Sequence, residues 1–107
     1  MPIDAIPFDI AEHLTHPADQ AELIEDAFAS GDPSIVRNAL NLVARAQGMT
    51  QVAREAGVTR EALYRSLSAE GDPRMSTLFG VVKALGVKLR ATIEPASRDD
   101  AEVSDLP

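Results

Sequence analysis

Arg60 and Arg65 lie in the run VTREALYRSLS, residues 58–68, among Thr59, Glu61, Tyr64 and Ser68. A guanidinium carries a fixed fork of donors that pairs bidentately with O6 and N7 of guanine in the major groove. It can also hold phosphate, as threonine and serine hydroxyls commonly do. If the run is helical, Thr59, Arg60, Glu61, Tyr64, Arg65 and Ser68 avoid the inward Ala62, Leu63 and Leu67 positions and face outward. This is the chemistry of nucleic-acid recognition, and Arg60 and Arg65 are expected to supply most of the contact energy.

Such side chains need a frame, and the stretch from Met49 to Ser68 has one: two short helices crossing over a tight turn. Helices meeting at roughly 90–120° need a small residue where they come closest, and a three- or four-residue turn often needs a backbone position at positive φ. Ala53 meets the first need and Gly57 the second. Val52, Ala56, Val58, Leu63 and Leu67 then form the buried faces, two to five residues apart. Thr50 and Thr59 each stand before an expected helix, where a hydroxyl can accept from an unpaired backbone N–H. The alternative is an ordinary helical hairpin whose arginines are only solvated. The agreement of alanine, glycine and capping signals in one register argues against it.

Other chemistries find less support. His13 and His16, with Glu12 or Asp19, resemble a metal or acid–base pair, but their spacing spans an expected helix end before Pro17. The chain has no cysteine and no third histidine to complete a soft-metal site. Ser30, Ser34 and Ser66 lack a nucleophile-elbow context, and no glycine-rich phosphate loop is present. The expectation is a binding protein without catalysis, cofactor or metal.

The 107 residues suffice for one small domain, and their net charge of −7 is unusual for a partner of DNA. The distribution explains it. Residues 1–33 carry −8 with no Lys or Arg, residues 34–90 carry +5, and residues 91–107 carry −4. A polyanion responds to the field of a patch rather than to the charge of the whole chain, so a basic middle between acidic ends is compatible with DNA binding. Without cysteine a reducing compartment is permitted. The opening residues lack a basic region and a long apolar run, and no window reaches membrane-span length, so a soluble cytoplasmic protein is expected.

The fold class read from these patterns is all-α, a helix-turn-helix bundle of about five to six helices with one short C-terminal strand. An extended arm is expected over 1–7 and a single domain over 8–94. That domain comprises acidic helices over 8–31, a helix-turn-helix core over 33–86 and a strand over 87–94. Asp9 caps a short helix containing Ile10, Ala11 and Leu14, with Phe8 packing back on it. A helix after Pro17 places Ala21, Leu23, Ile24, Ala27 and Phe28 on its apolar face and ends at Gly31. Asp32-Pro33 starts the next, with Ile35, Val36, Ala39, Leu40, Val43 and Ala44 inward and a stop near Gly48. Past the loop at Gly71-Asp72-Pro73, a helix from about Ser76 turns Leu78, Phe79, Val81, Val82 and Leu85 inward and stops at Gly86.

The period then changes. Val87, Leu89, Ala91 and Ile93 alternate with Lys88, Arg90, Thr92 and Glu94, as in a half-buried strand. A lone strand exposes unpaired N–H and C=O groups, so its expected partner is the same strand of a second protomer or one from another protein. The alternative is a segment lying on the core unpaired. Residues 95–107 are acidic, poor in apolar residues and expected to be disordered.

The run from Ala39-Leu40 through Ala44-Arg45-Ala46-Gln47-Gly48-Met49-Thr50, then Ala53 to Tyr64, resembles the addiction-module antidote family. Gly71-Asp72-Pro73, Lys83-Ala84-Leu85-Gly86, Phe8-Asp9 and Gly31-Asp32-Pro33 extend the likeness over residues 8 to 94. These are HigA-like antitoxins with a helix-turn-helix of the Xre or lambda-repressor type. The resemblance implies a type II antitoxin that neutralises a small, basic RelE/ParE-superfamily toxin and represses its own operon as a homodimer on operator DNA. It assigns DNA reading to Thr59, Arg60, Glu61, Tyr64 and Arg65 and phosphate contacts to Thr50 and Gln51. Met49 departs from the glutamine common at the first motif position, and Gln51 is the expected substitute. The acidic segment offers Asp19, Glu22, Glu25 and Asp26 as a toxin-binding face, with the C-terminal strand as the competing surface. A stand-alone Xre-type or phage-type regulator without a toxin uses the same helix-turn-helix and is the rival reading.

Overall fold

Proline, glycine and aspartate punctuate a bundle of short helices, described over residues 10–93 by a computed structural model. The expected arm over 1–7, the Phe8-Asp9 cap, Glu94 at the strand's end and the tail over 95–107 lie outside these residues. After a 3-10 turn at Ile10–His13 come α1 (Pro17–Ser30), α2 (Pro33–Gln47), α3 (Met49–Ala56), α4 (Arg60–Ser66) and α5 (Met75–Ala84). The all-helical class is as expected, and no strand forms among the described residues.

The starts of the helices follow their local chemistry. Pro17 and Pro33 occupy first-turn positions, where a missing N–H costs nothing. Asp32 caps α2: its Oδ1 accepts from the Ser34 N–H and hydroxyl, each at 2.9 Å. Those hydrogen bonds hold its carboxyl below the ordinary 3.8. Thr59 caps α4, its Oγ1 accepting from the Ala62 N–H at 3.0 Å. Thr50 is not a cap. The junction residue is Gly48, whose N–H donates to the Ala44 carbonyl at 2.8 Å and whose carbonyl accepts from the Val52 N–H at 3.0 Å. With α2 and α3 sharing one residue, Thr50 already lies inside α3.

All five helices meet in one core. Ile24 comes from α1, Leu40, Val43 and Ala44 from α2, Met49, Val52 and Ala53 from α3, Leu63 from α4, and Val81 and Val82 from α5; Leu67 and Leu85 follow just past helix ends. In the main packing contacts α1 lies along α2 and α3 along α5. Gly80 of α5 permits the second: a Cβ there would stand 3.2 Å from the Ala56 carbonyl oxygen. Met49, which stands where glutamine is common, is buried and packs in the core.

Three expected core positions on the helices face out. Phe79 is 57 % exposed, because the face of α5 that meets the core centres on Val81 and Val82 and Phe79 sits at its edge with Met75, at 66 %. Ile35 is 47 % exposed in the first turn of α2, before the buried layer begins at Ala39. Ala21 of α1 is exposed, and the buried neighbour of Ile24 is Gln20. The Gln20 amide donates to the Leu14 carbonyl at 2.7 Å and accepts from the Gln47 amide at 2.9 Å. Gln47 also donates to the Leu85 carbonyl at 2.9 Å, so one chain of amides joins α1, the end of α2 and the end of α5.

Residues 87–93 join no ladder within the described chain, because a solitary strand has nothing here to pair with. Val87 packs against the core and Leu89 is exposed. None of the described helices is long and apolar enough to cross a membrane.

Candidate nucleic-acid interface

The turn between α3 and α4 is built by backbone hydrogen bonds around Gly57. Its N–H donates to the Arg54 carbonyl at 3.2 Å, and the Val58 N–H donates to the Ala53 carbonyl at 3.0 Å. This six-to-one and five-to-two pair defines a Schellman motif, which needs a left-handed residue at its centre. Gly57 supplies it at φ 79°. Ala53 and Leu63 are buried on either side of the turn, as their spacing predicts, and Val58 packs against the same core. The chain therefore emerges into α4 with Arg60, Glu61, Tyr64 and Arg65 exposed.

The other end of α4 is tied down by Arg37 of α2. Its Nε donates to the Ser68 carbonyl at 3.0 Å and its Nη2 to the Ala69 carbonyl at 2.8 Å. One of the nine bases in the basic middle thus serves the frame. Gly71 closes the same turn, its N–H donating to the Ser68 carbonyl at 2.9 Å, with the Ser66 and Arg65 carbonyls filling the place a Cβ would take.

An open groove of about 560 Å³ runs over the last turn of α2, the outer side of α3 and the start of α4. Of the residues expected to bind DNA, it brings together Thr50, Gln51, Arg60 and Tyr64. Thr59 precedes Arg60 with its Oγ1 already accepting the cap hydrogen bond, so its hydroxyl proton remains to be donated. Glu61, Arg65 and Ser68 do not line the groove. Arg65 is five residues beyond Arg60, about 140° around the helix. Ser68 lies past the end of α4, its hydroxyl donating to the Arg65 carbonyl at 2.9 Å.

Two further arginines line the groove that spacing did not single out, Arg45 at the end of α2 and Arg54 on α3. Neither belongs to the expected recognition helix. Arg54 was legible as an outward position next to buried Ala53, whereas Arg45 comes into place only through the α2–α3 junction. Within the groove Arg60 leans on Tyr64: its Cζ stands 5.5 Å from the ring centroid and Nη2 is 3.4 Å from the hydroxyl. The Tyr64 hydrogen bond raises the Arg60 pKa further, so the guanidinium is always charged. Gln51 donates to Glu55 at 3.1 Å. A concave surface with three cations, amides and hydroxyls suits a phosphate-bearing polymer.

The acidic side chains occupy a different place. Asp19, Glu22, Glu25 and Asp26 are all exposed on α1 and fall within one stripe of that helix, while Ile24 and Ala27 on its other side enter the core.

Comparison with known proteins agrees with the likeness seen in the sequence. Residues 4–93 match the profile of a family described as "Probable addiction module antidote protein". An uncharacterized protein of Haemophilus influenzae (strain Rd) is 37% identical over 83 residues, covering 78% of this chain and 86% of the relative. No solved structure matches. With the match spanning the whole of the described bundle, including both helices of the turn motif, the chain belongs to the addiction module antidote family.

Proposed function

We propose that the protein is the HigA-like antitoxin of a type II toxin–antitoxin pair, acting by binding and without catalysis. It neutralises a small basic toxin of the RelE/ParE superfamily and represses its own operon through an Xre-type helix-turn-helix. Family membership carries the toxin half of this reading, since an antidote requires something to counteract. The DNA half rests on the groove that joins Thr50, Gln51, Arg60 and Tyr64 beside the exposed face of α4.

Two copies act together in this reading. A homodimer presents two α4 helices to half-sites about one helical turn apart. Support comes from the exposed Phe79 and Met75 on α5 and from the apolar groove that Phe79 shares with Val82, Val87 and Leu89. The alternating segment 87–93 continues from it and supplies a strand for its own copy to pair with.

The toxin faces the acidic stripe of α1 by charge complementarity. Because Ile24 and Ala27 of the same helix are core residues, the stripe is tested by substitution rather than by removing the helix. Co-expression with the neighbouring reading frame is expected to rescue growth and give a co-purifying complex. Replacing Glu22, Glu25 and Asp26 by lysine is expected to abolish that complex while leaving the helical content unchanged. A neighbour that is harmless alone and never co-purifies would favour the stand-alone regulator. A complex that survives the charge reversal would move the toxin site to another surface.

A further inference from the structure

We propose that the groove divides DNA recognition between two kinds of arginine: Arg45 and Arg54 grip phosphates, while Arg60, held by Tyr64, reads a base edge. The proposal rests on the DNA-binding half of the function above and assigns roles within that site.

The three cations differ in where they are mounted. When a recognition helix enters the major groove, its own first residues meet base edges, while neighbouring helices cross or flank the sugar–phosphate strands. Arg60 is the first residue of α4. Arg54 is on α3 and Arg45 in the last turn of α2, yet both line the same groove as Arg60. Cations mounted beside the reading helix meet the walls of the DNA groove, where the charge is and the sequence is not.

Tyr64 adds a constraint on orientation. A free arginine has many rotamers, and reading guanine requires its planar fork in one orientation. Arg60 and Tyr64 stand four residues apart, on one side of α4. The guanidinium carbon is 5.5 Å from the ring centroid, and Nη2 meets the phenol oxygen at 3.4 Å. The cation–π contact keeps the guanidinium beside the ring and the hydrogen bond to the hydroxyl limits its rotation, leaving the remaining donors of the fork for a base. Tyr64 is therefore a positioning residue, acting on DNA through Arg60.

The experiment measures affinity across a range of salt concentrations for two duplexes. One carries the DNA immediately upstream of the protein's own coding sequence, and the other is a scramble of it. Arg45→Ala and Arg54→Ala are expected to weaken both duplexes alike and to lower the slope of log affinity on log salt by about 0.9 for each phosphate that a bound chain no longer neutralises. Arg45→Lys and Arg54→Lys should restore that slope, because phosphate needs only the charge. Arg60→Ala is expected to cut discrimination between the duplexes by about 10- to 100-fold. Arg60→Lys should not restore it.

Tyr64→Ala should cost about two- to fivefold on the upstream duplex. It should have no further effect in an Arg60→Ala background, and Tyr64→Phe should retain most of the affinity. Unchanged slopes for Arg45→Ala and Arg54→Ala would overturn the phosphate assignment. A Tyr64→Ala loss that persists without Arg60 would make Tyr64 a direct contact and overturn its positioning role. An Arg60→Ala loss equal on both duplexes would make Arg60 another phosphate contact. Failure of wild-type protein to prefer the upstream duplex would instead remove the operator-binding reading itself. Melting curves for each variant separate these outcomes from unfolding.

Discussion

Asp32 shows how one side chain sets a local pH response. Its carboxylate accepts two hydrogen bonds from Ser34, which stabilise the charged form and place the folded pKa below the ordinary 3.8. A lowered carboxylate contributes fully above its unfolded value, and the contribution is lost as pH falls through the folded value. Asp32→Ala is therefore expected to melt below wild type at neutral pH, with the gap closing once the medium is more acidic than 3.8. Parallel thermal melts at several pH values check it, and a gap independent of pH would mean that the carboxylate charge plays no part. Asp32 and Thr59 were both legible as caps because capping is decided within three or four residues. Thr50 fails as a cap for a reason of the same range: Gly48 joins two helices with no gap for a second capping residue. Arg45 was not legible, since its approach to Arg60 depends on how α2 meets α3.

At the scale of the element, α4 is only seven residues long and cannot persist alone in water, so both of its ends must be held by the surroundings. The two turns that hold it fail differently. Gly57 has open space around its Cα but sits at φ 79°, so Gly57→Ala costs about 1–2 kcal/mol of backbone strain. Gly71 carries no such strain. A methyl there would collide with the Ser66 and Arg65 carbonyls, and neither can give way without opening the turn that Arg37 ties. Gly71→Ala is expected to be the more destabilising of the two by chemical denaturation and to cost DNA affinity by fraying the end of α4. Equal losses would show that the turn has slack. The order and limits of the helices were legible because apolar period, proline and glycine agree, with α5 beginning at Met75, one residue before the expected Ser76. The inward face of α5 was only partly legible: its apolar arc is wider than the face that meets the core, and Phe79 falls at the exposed edge of that arc.

For the whole molecule, the segregated charge and the unpartnered apolar groove are properties that a single helix does not have. Phe79 contributes to that groove while remaining 57 % exposed, so it adds little to the folded monomer. If the protein forms the proposed dimer, Phe79→Asp is expected to shift it toward monomer in sedimentation equilibrium, with helical content and melting of the monomer nearly unchanged. Persistence of the dimer would place the contact elsewhere. Cooperative operator binding should weaken in parallel, since linked half-sites raise affinity only while both copies are held together. The bundle was readable because each helix is locally specified. The state of residues 87–93 was not: their alternation predicts a strand, which needs a partner, and no strand forms among the described residues.

The groove proposed to bind DNA takes its arginines from three consecutive helices, not from α4 alone. That composition bears on attempts to re-target the protein. Transplanting α4 onto another scaffold would carry Arg60 and Tyr64 and leave Arg45 and Arg54 behind, yielding a reader without a grip. A portable module has to begin within α2 and keep the Gly48 junction intact, so the smallest exchangeable unit is three helices long.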